Sequence, residues 1–218
     1  MKPQIIHFLH IGKTGGTALR TTLRKNKSKK YKYKFHRHNT TLKEVPEGEK
    51  VIFLIRDPLT KFISGFYSRQ RKGRPRYNSA WGKVESKAFK KFKIANELAE
   101  AITSKEPKTK KEAINAMKNI MHVKSFYWDW FGNEKYFIKR IPDILFIGRQ
   151  EKLNKDFERL KKILGIPKKV KLPTDKIKMH KNPENLDTYL TKTAKKNLEK
   201  WYAKDYKFLS LLKKRKLI

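Results

Sequence analysis

The chain has 218 residues, 38% of them hydrophobic and 12% aromatic, which at about 150 residues per domain makes one domain with a packed core and excludes a wholly disordered chain. Lys and Arg number 56 against 20 Asp and Glu, a formal charge of +36 that attracts polyanions and phosphorylated small molecules. Cysteine is absent, which excludes disulfides, thiolate metal sites and thiol nucleophiles. No stretch has the uninterrupted apolar region of a signal peptide or the roughly 18 apolar residues of a membrane span, so a soluble, cytoplasmic protein is expected.

In chain order, Ile5 to Ile11 reads as a strand interrupted by His7 and His10 and ended by Gly12, and Thr17 to Leu23 opens a helix. Tyr31 to Phe35 alternates aromatic residues with Lys, as a half-exposed strand does, and Thr41 with Glu44 has capping-box spacing for a short helix. Val51 to Ile55 (VIFLI) suits a strand covered on both faces. Asp57-Pro58 is a helix start, with Leu59, Phe62, Ile63 and Phe66 on one face. Ala88, Phe92, Ala95, Ala99 and Ile102 predict one further helix, and Thr109 with Glu112 caps the next. Ile144 to Ile147 is a short buried strand stopped by Gly148, and Leu153 to Leu164 is a helix closed by Gly165 and Pro167. After an irregular basic stretch from Lys168 to Asn185, helical periodicity runs from Leu190 to Leu212. Strands alternating with helices predict an α/β fold with a central, mostly parallel sheet, in which ligands bind at the carboxyl ends of the strands.

Two segments carry chemistry. In FLHIGKTGGTAL, Gly12, Gly15 and Gly16 surround Lys13, Thr14 and Thr17 between a strand and a helix. Glycines let backbone N–H groups approach an anion, the helix N-terminus and Lys add charge, and hydroxyls donate hydrogen bonds. A Walker A loop would need glycine where His7 stands, which disfavours a nucleoside triphosphatase. In VIFLIRDPLTKFISGFY, Arg56 ends the buried strand and Ser64 lies two helical turns on; both can serve one anion, Arg56 by a bidentate fork. The competing reading pairs Arg56 with Asp57 and packs Ser64 on the core.

Together the two segments resemble the 5′-phosphosulfate loop and the 3′-phosphate motif of sulfotransferases that use 3′-phosphoadenosine 5′-phosphosulfate (PAPS). The nearest in motif style are the carbohydrate O-sulfotransferases, including the heparan sulfate 2-O type. Lys61 stands where many members have Arg. The resemblance extends through IGRQEKLNKDFERL and the C-terminal helix, and implies one sulfotransferase domain over residues 1–218, with a helical insertion at about 70–140 shaping the acceptor side.

The resemblance implies that Lys13, Thr14, Gly15, Gly16 and Thr17 hold the 5′-phosphosulfate and that Arg56 and Ser64 hold the 3′-phosphate. Lys13 also neutralises the leaving group, and no metal is required. A histidine between the two motifs acts as base in related enzymes, which favours His38, with His36 second and Glu44 an outside alternative. The His-x-His pair lacks an evident third metal ligand. Arg149, His180, Lys181 and Asn182 are further candidates for the cofactor, with an ion pair to Glu151 or Asp156 as the other reading of Arg149. The basic run from Arg69 to Arg76 suits an anionic glycan as acceptor, with a plain solvated loop as the equal alternative. The rival functions are binding of nucleic acid or another polyanion, for which no recognised nucleic-acid motif appears and no specific nucleic-acid partner is expected, and a small-molecule kinase.

Overall fold

The computed structural model describes residues 3–26, 28, 30–175, 183 and 185–218. Strands β1 (Gln4–Leu9), β2 (Tyr31–Phe35), β3 (Lys50–Ile55) and β4 (Ile144–Arg149) form an all-parallel sheet in the order β2-β1-β3-β4. Register places Phe8 beside Phe35 and Ile52, and Leu9 beside Phe53. The chain falls into two compact units, the first comprising Met1–Arg56, Tyr127–His180 and Lys207–Ile218, the second Asp57–Phe126 and Lys181–Tyr206.

In the first unit the period of two along β1 and β3 makes both sheet faces apolar, as a buried parallel sheet requires. Ile6, Phe8, Ile52 and Leu54 pack against Leu19 and Leu23 of α1 (Gly16–Lys25) and against Phe157, Leu160 and Leu164 of α8 (Leu153–Leu164). On the other face Leu9, Val51, Phe53 and Ile55 meet Tyr127 and Phe131 of α6 (Tyr127–Phe131), Phe137 of α7 (Glu134–Lys139), and Phe208 of α10 (Ala203–Lys214). Gly165 closes α8 in the left-handed region, at φ 65°, where glycine carries no penalty. Strand β4 does not stop at Gly148. It runs on to Arg149, and the glycine is needed because a Cβ there would lie 2.5 Å from Leu54 Cδ2.

The second unit is helical: α2 (Pro58–Gln70), α3 (Lys83–Lys91), α4 (Ala95–Ala101), α5 (Pro107–Asn119) and α9 (Lys192–Trp201) surround one core. Asp57 caps α2, its Oδ1 accepting from the N–H groups of Leu59 (3.0 Å) and Thr60 (3.1 Å). The single helix expected over Ala88 to Ile102 is two, because Glu97 accepts from the N–H groups of Lys93 (2.6 Å) and Ile94 (3.3 Å) and so starts a new helix. Helix α5 begins at Pro107 rather than at Thr109, whose hydroxyl donates to Glu106; proline at the first helical position is the stronger start signal. The expected C-terminal helix likewise divides at Tyr202, a buried residue whose hydroxyl donates to Val123 O at 2.6 Å.

Lys61 lies inside this second unit, 2% exposed, with Nζ 3.0 Å from Asp205 Oδ2 and 2.9 Å from Ser125 O. Its charge therefore serves a buried ion pair. Lys61→Ala, which leaves Asp205 buried without this cation, is expected to cost about 3–5 kcal/mol by urea unfolding. A Lys61→Met/Asp205→Leu double variant should recover most of that loss, and equal destabilisation of both variants would contradict the pairing.

Candidate active site

The strand order puts the switch point of the sheet between β1 and β3, since the chain goes from β1 outward to β2 and returns to β3 on the other side of β1. Crevices outside the carboxyl ends of strands at such a point are where open α/β sheets bind ligands. The end of β1 is the glycine loop and the end of β3 is Arg56. Arg56 reaches across, its NH1 donating to Lys13 O at 3.3 Å. The Arg56 peptide is held on both sides by the Tyr127 hydroxyl, which accepts from its N–H at 2.8 Å and donates to its carbonyl at 2.6 Å.

The loop is built to leave a helix end available to an anion. Helix α1 has Gly15 as N-cap, no side-chain cap and no acidic residue in its first turn, so the partial positive charge of its orphan N–H groups is not offset locally. Lys13 and Gly15 both take the left-handed conformation, φ 65° and 86°, a costly geometry for the lysine. The Thr14 hydroxyl donates to Ile11 O at 3.0 Å, so Thr14 shapes the loop with its side chain. A Cβ on Gly16 would lie 2.5 Å from His10 Cδ2, and one on Gly15 3.3 Å from Leu153 Cδ2. Gly15 is thus required by its left-handed backbone, and Gly16 by the close approach of His10. Lys13, Thr17 and Arg56 are half-buried.

His38 belongs to this cluster. Its Nδ1 lies 2.8 Å from His10 O, and a carbonyl only accepts, so Nδ1 carries a proton and the neutral ring has its basic lone pair on Nε2. His38 is exposed, but desolvation of its ring against the neighbouring chain lowers its pKa, the His10 carbonyl opposes this, and Lys13 and Arg20 push it further down. The rings of His10 and His38 are 4.1 Å apart, and Trp130 Nε1 donates to His38 O at 2.6 Å.

His36 is on the other face of the sheet. Its Nε2 lies 2.8 Å from Nδ1 of His7, a residue that alternation places with Leu9 rather than with Phe8, whereas His10 packs on Phe8 and Gly16. Arg149 is turned to Asp156, which accepts from its Nε (3.0 Å), NH2 (3.0 Å) and backbone N–H (2.8 Å). Burial alone would raise the Asp156 carboxyl, and these bonds hold it below the usual range instead. Ser64, buried, is on α2 in the second unit. His180, Lys181 and Asn182 lie outside the described residues. Arg69 is buried, bonded to Glu85 and to Ser79 O and Ala80 O, which takes it out of the expected acceptor run. Glu44 bonds Thr41, through its backbone N–H at 2.6 Å and its hydroxyl at 3.0 Å.

Sequence reasoning missed Tyr127 and the roles of His7 and His10, though both histidines stand out as interruptions of an apolar strand. Among the described residues no group of three or more His, Cys, Asp or Glu side chains is arranged to hold a metal ion, and no helix is long and apolar enough to cross a membrane.

A family model described as the sulfotransferase family matches residues 2–211. Comparison with curated proteins gave no match. With that match running through both compact units, and with the glycine loop and Arg56 meeting at one switch point, the chain belongs to the sulfotransferase family.

Proposed function

We propose that the protein moves the sulfuryl group of PAPS to a hydroxyl of a carbohydrate acceptor, with His38 as general base and both compact units acting as one sulfotransferase domain. The observation that carries this reading is the reach of Arg56 to Lys13 O, which joins two anion-binding elements at one crevice. The residues fit the donor: an uncapped helix N-terminus, a lysine and two glycines, one required by its conformation and one by a close approach, suit a phosphosulfate, and an arginine at the neighbouring strand end suits a second phosphate. Ser64 is assigned to that phosphate by its place in the motif. Arg149 has its charge matched by Asp156, so its part is to hold the β4–α8 junction that packs on Gly15.

In the reaction, Nε2 of His38 takes the proton of the acceptor hydroxyl as that oxygen bonds to sulfur, and the bond from sulfur to the bridging phosphate oxygen breaks in line. Lys13 and the first turn of α1 neutralise the charge arriving on the leaving oxygen, and adenosine 3′,5′-bisphosphate departs. His10 holds His38 in the tautomer the step needs, and the lowered His38 pKa keeps the ring neutral at pH 7. The net charge of +36 favours an anionic glycan. The test is transfer of label from ³⁵S-PAPS to a panel of neutral, carboxylated and sulfated oligosaccharides. Label in an acid-labile O-sulfate on an anionic member supports the reading, and no transfer to any saccharide overturns the acceptor class.

A further inference from the structure

Strand β2 lies at an edge of the sheet and pairs only with β1. Its last ladder bond runs from His36 N–H to Phe8 O at 3.0 Å. Beyond that point the chain leaves the sheet, and two residues later His38 must meet His10 O in one orientation. The backbone of an edge strand does not define such a segment, and a chain of side chains unused by the proposed chemistry lies against it. His7 is fully buried in β1, with Nε2 bonded to the Glu49 carboxylate and Nδ1 bonded to His36 Nε2. The two imidazoles are stacked, 5.0 Å apart and 13° from parallel.

The carboxylate sets the direction of one bond. Glu49 only accepts, so His7 Nε2 carries a proton, and the bond between His7 Nδ1 and His36 Nε2 holds the two rings to each other whichever of these nitrogens carries its proton. The half-buried His36 ring thereby becomes an oriented anchor for the segment from His36 to His38, whose far end is held by Trp130.

We propose that Glu49 and His7 are positioning residues that act through His36 to hold His38 against His10 O, so that Nε2 of His38 faces the acceptor. This rests on the assignment of His38 as base. Lys34 and Glu44 also face His36, and Lys13, Arg20 and His10 face His38, so the anchoring is read by tautomer and turnover rather than by a titration alone.

The test uses the full chain with Glu49→Leu, Glu49→Gln and His36→Ala. Glu49 is partly exposed and His36 half-buried, so the variants should fold. Glu49→Leu and His36→Ala are expected to lower kcat about tenfold, as a misplaced catalytic group does, with affinity for adenosine 3′,5′-bisphosphate within about twofold of wild type. Glu49→Gln, which keeps an acceptor for His7 Nε2–H, should recover most of the loss. In ¹⁵N imidazole correlation spectra His38 should change from the Nδ1–H tautomer to a mixture in Glu49→Leu. An unchanged His38 spectrum in both Glu49→Leu and His36→Ala overturns the proposal, as does loss of kcat only in step with bisphosphate binding and melting temperature. A changed spectrum beside a His38→Ala variant of unaltered turnover would sustain the anchoring and remove His38 as base.

Discussion

Lys13→Ala is expected to lower kcat about 10³-fold, with a much smaller effect on binding of adenosine 3′,5′-bisphosphate, because the proposed mechanism uses its charge to neutralise the leaving oxygen. Lys13 holds a left-handed conformation, φ 65°, and alanine meets the same backbone penalty there as lysine. The difference between the two therefore reports the ammonium group and not loop strain. Lys13→Gly relieves the strain and still lacks the charge, so it should be as inactive as Lys13→Ala. Single-turnover transfer from ³⁵S-PAPS separates chemistry from donor binding. Recovery of turnover by Lys13→Gly would show that the loop backbone, and not the cation, drives the step.

His38→Ala is expected to cost about 10² to 10⁴ in kcat, the range for loss of a general base. The pH dependence has a definite sign. With His38 as the proposed base, the neutral ring is the active form, and desolvation of the ring together with Lys13 and Arg20 outweighs the His10 carbonyl to lower its pKa from 6.5. Activity should therefore persist as pH falls through 6.5 and be lost only below it. That acid limb should be missing from the residual activity of His38→Ala, and the same limb in His36→Ala would confirm that it does not arise from His36.

The parts of the fold that could be read from sequence are those whose cause is local. The wholly apolar VIFLI run, the Asp57-Pro58 start and the Gly165 stop act through residues next to one another, and β3, α2 and α8 lie where they direct. The break between α3 and α4 was hidden because Phe92 and Ala95 enter the same core, so the helical period of apolar residues survives a change of direction. Only the spacing from Ile94 to Glu97 carries the cap. At the site the glycine loop was legible for the same reason, as a contiguous motif. The long-range partners were not legible: Tyr127 meets Arg56 across 71 positions, Glu49 meets His7 across 42, and, within the second unit, Asp205 takes the charge of Lys61 across 144. Such partners are set by the crossing of strands and helices, which periodicity does not encode. His36 and His38, two positions apart, are ranked in the sequence only by the family resemblance, and the pleat of β1 gives them different partners, His7 for one and His10 for the other.

The most direct measurement is calorimetric titration of the protein with adenosine 3′,5′-bisphosphate, beside ATP, for wild type and Arg56→Ala. Binding of the bisphosphate in the micromolar range, about 8 kcal/mol, preferred over ATP and lost in Arg56→Ala, is the expected result. Equal binding of both nucleotides, or bisphosphate binding indifferent to Arg56 in folded protein, would contradict the donor site at the β1–β3 switch point.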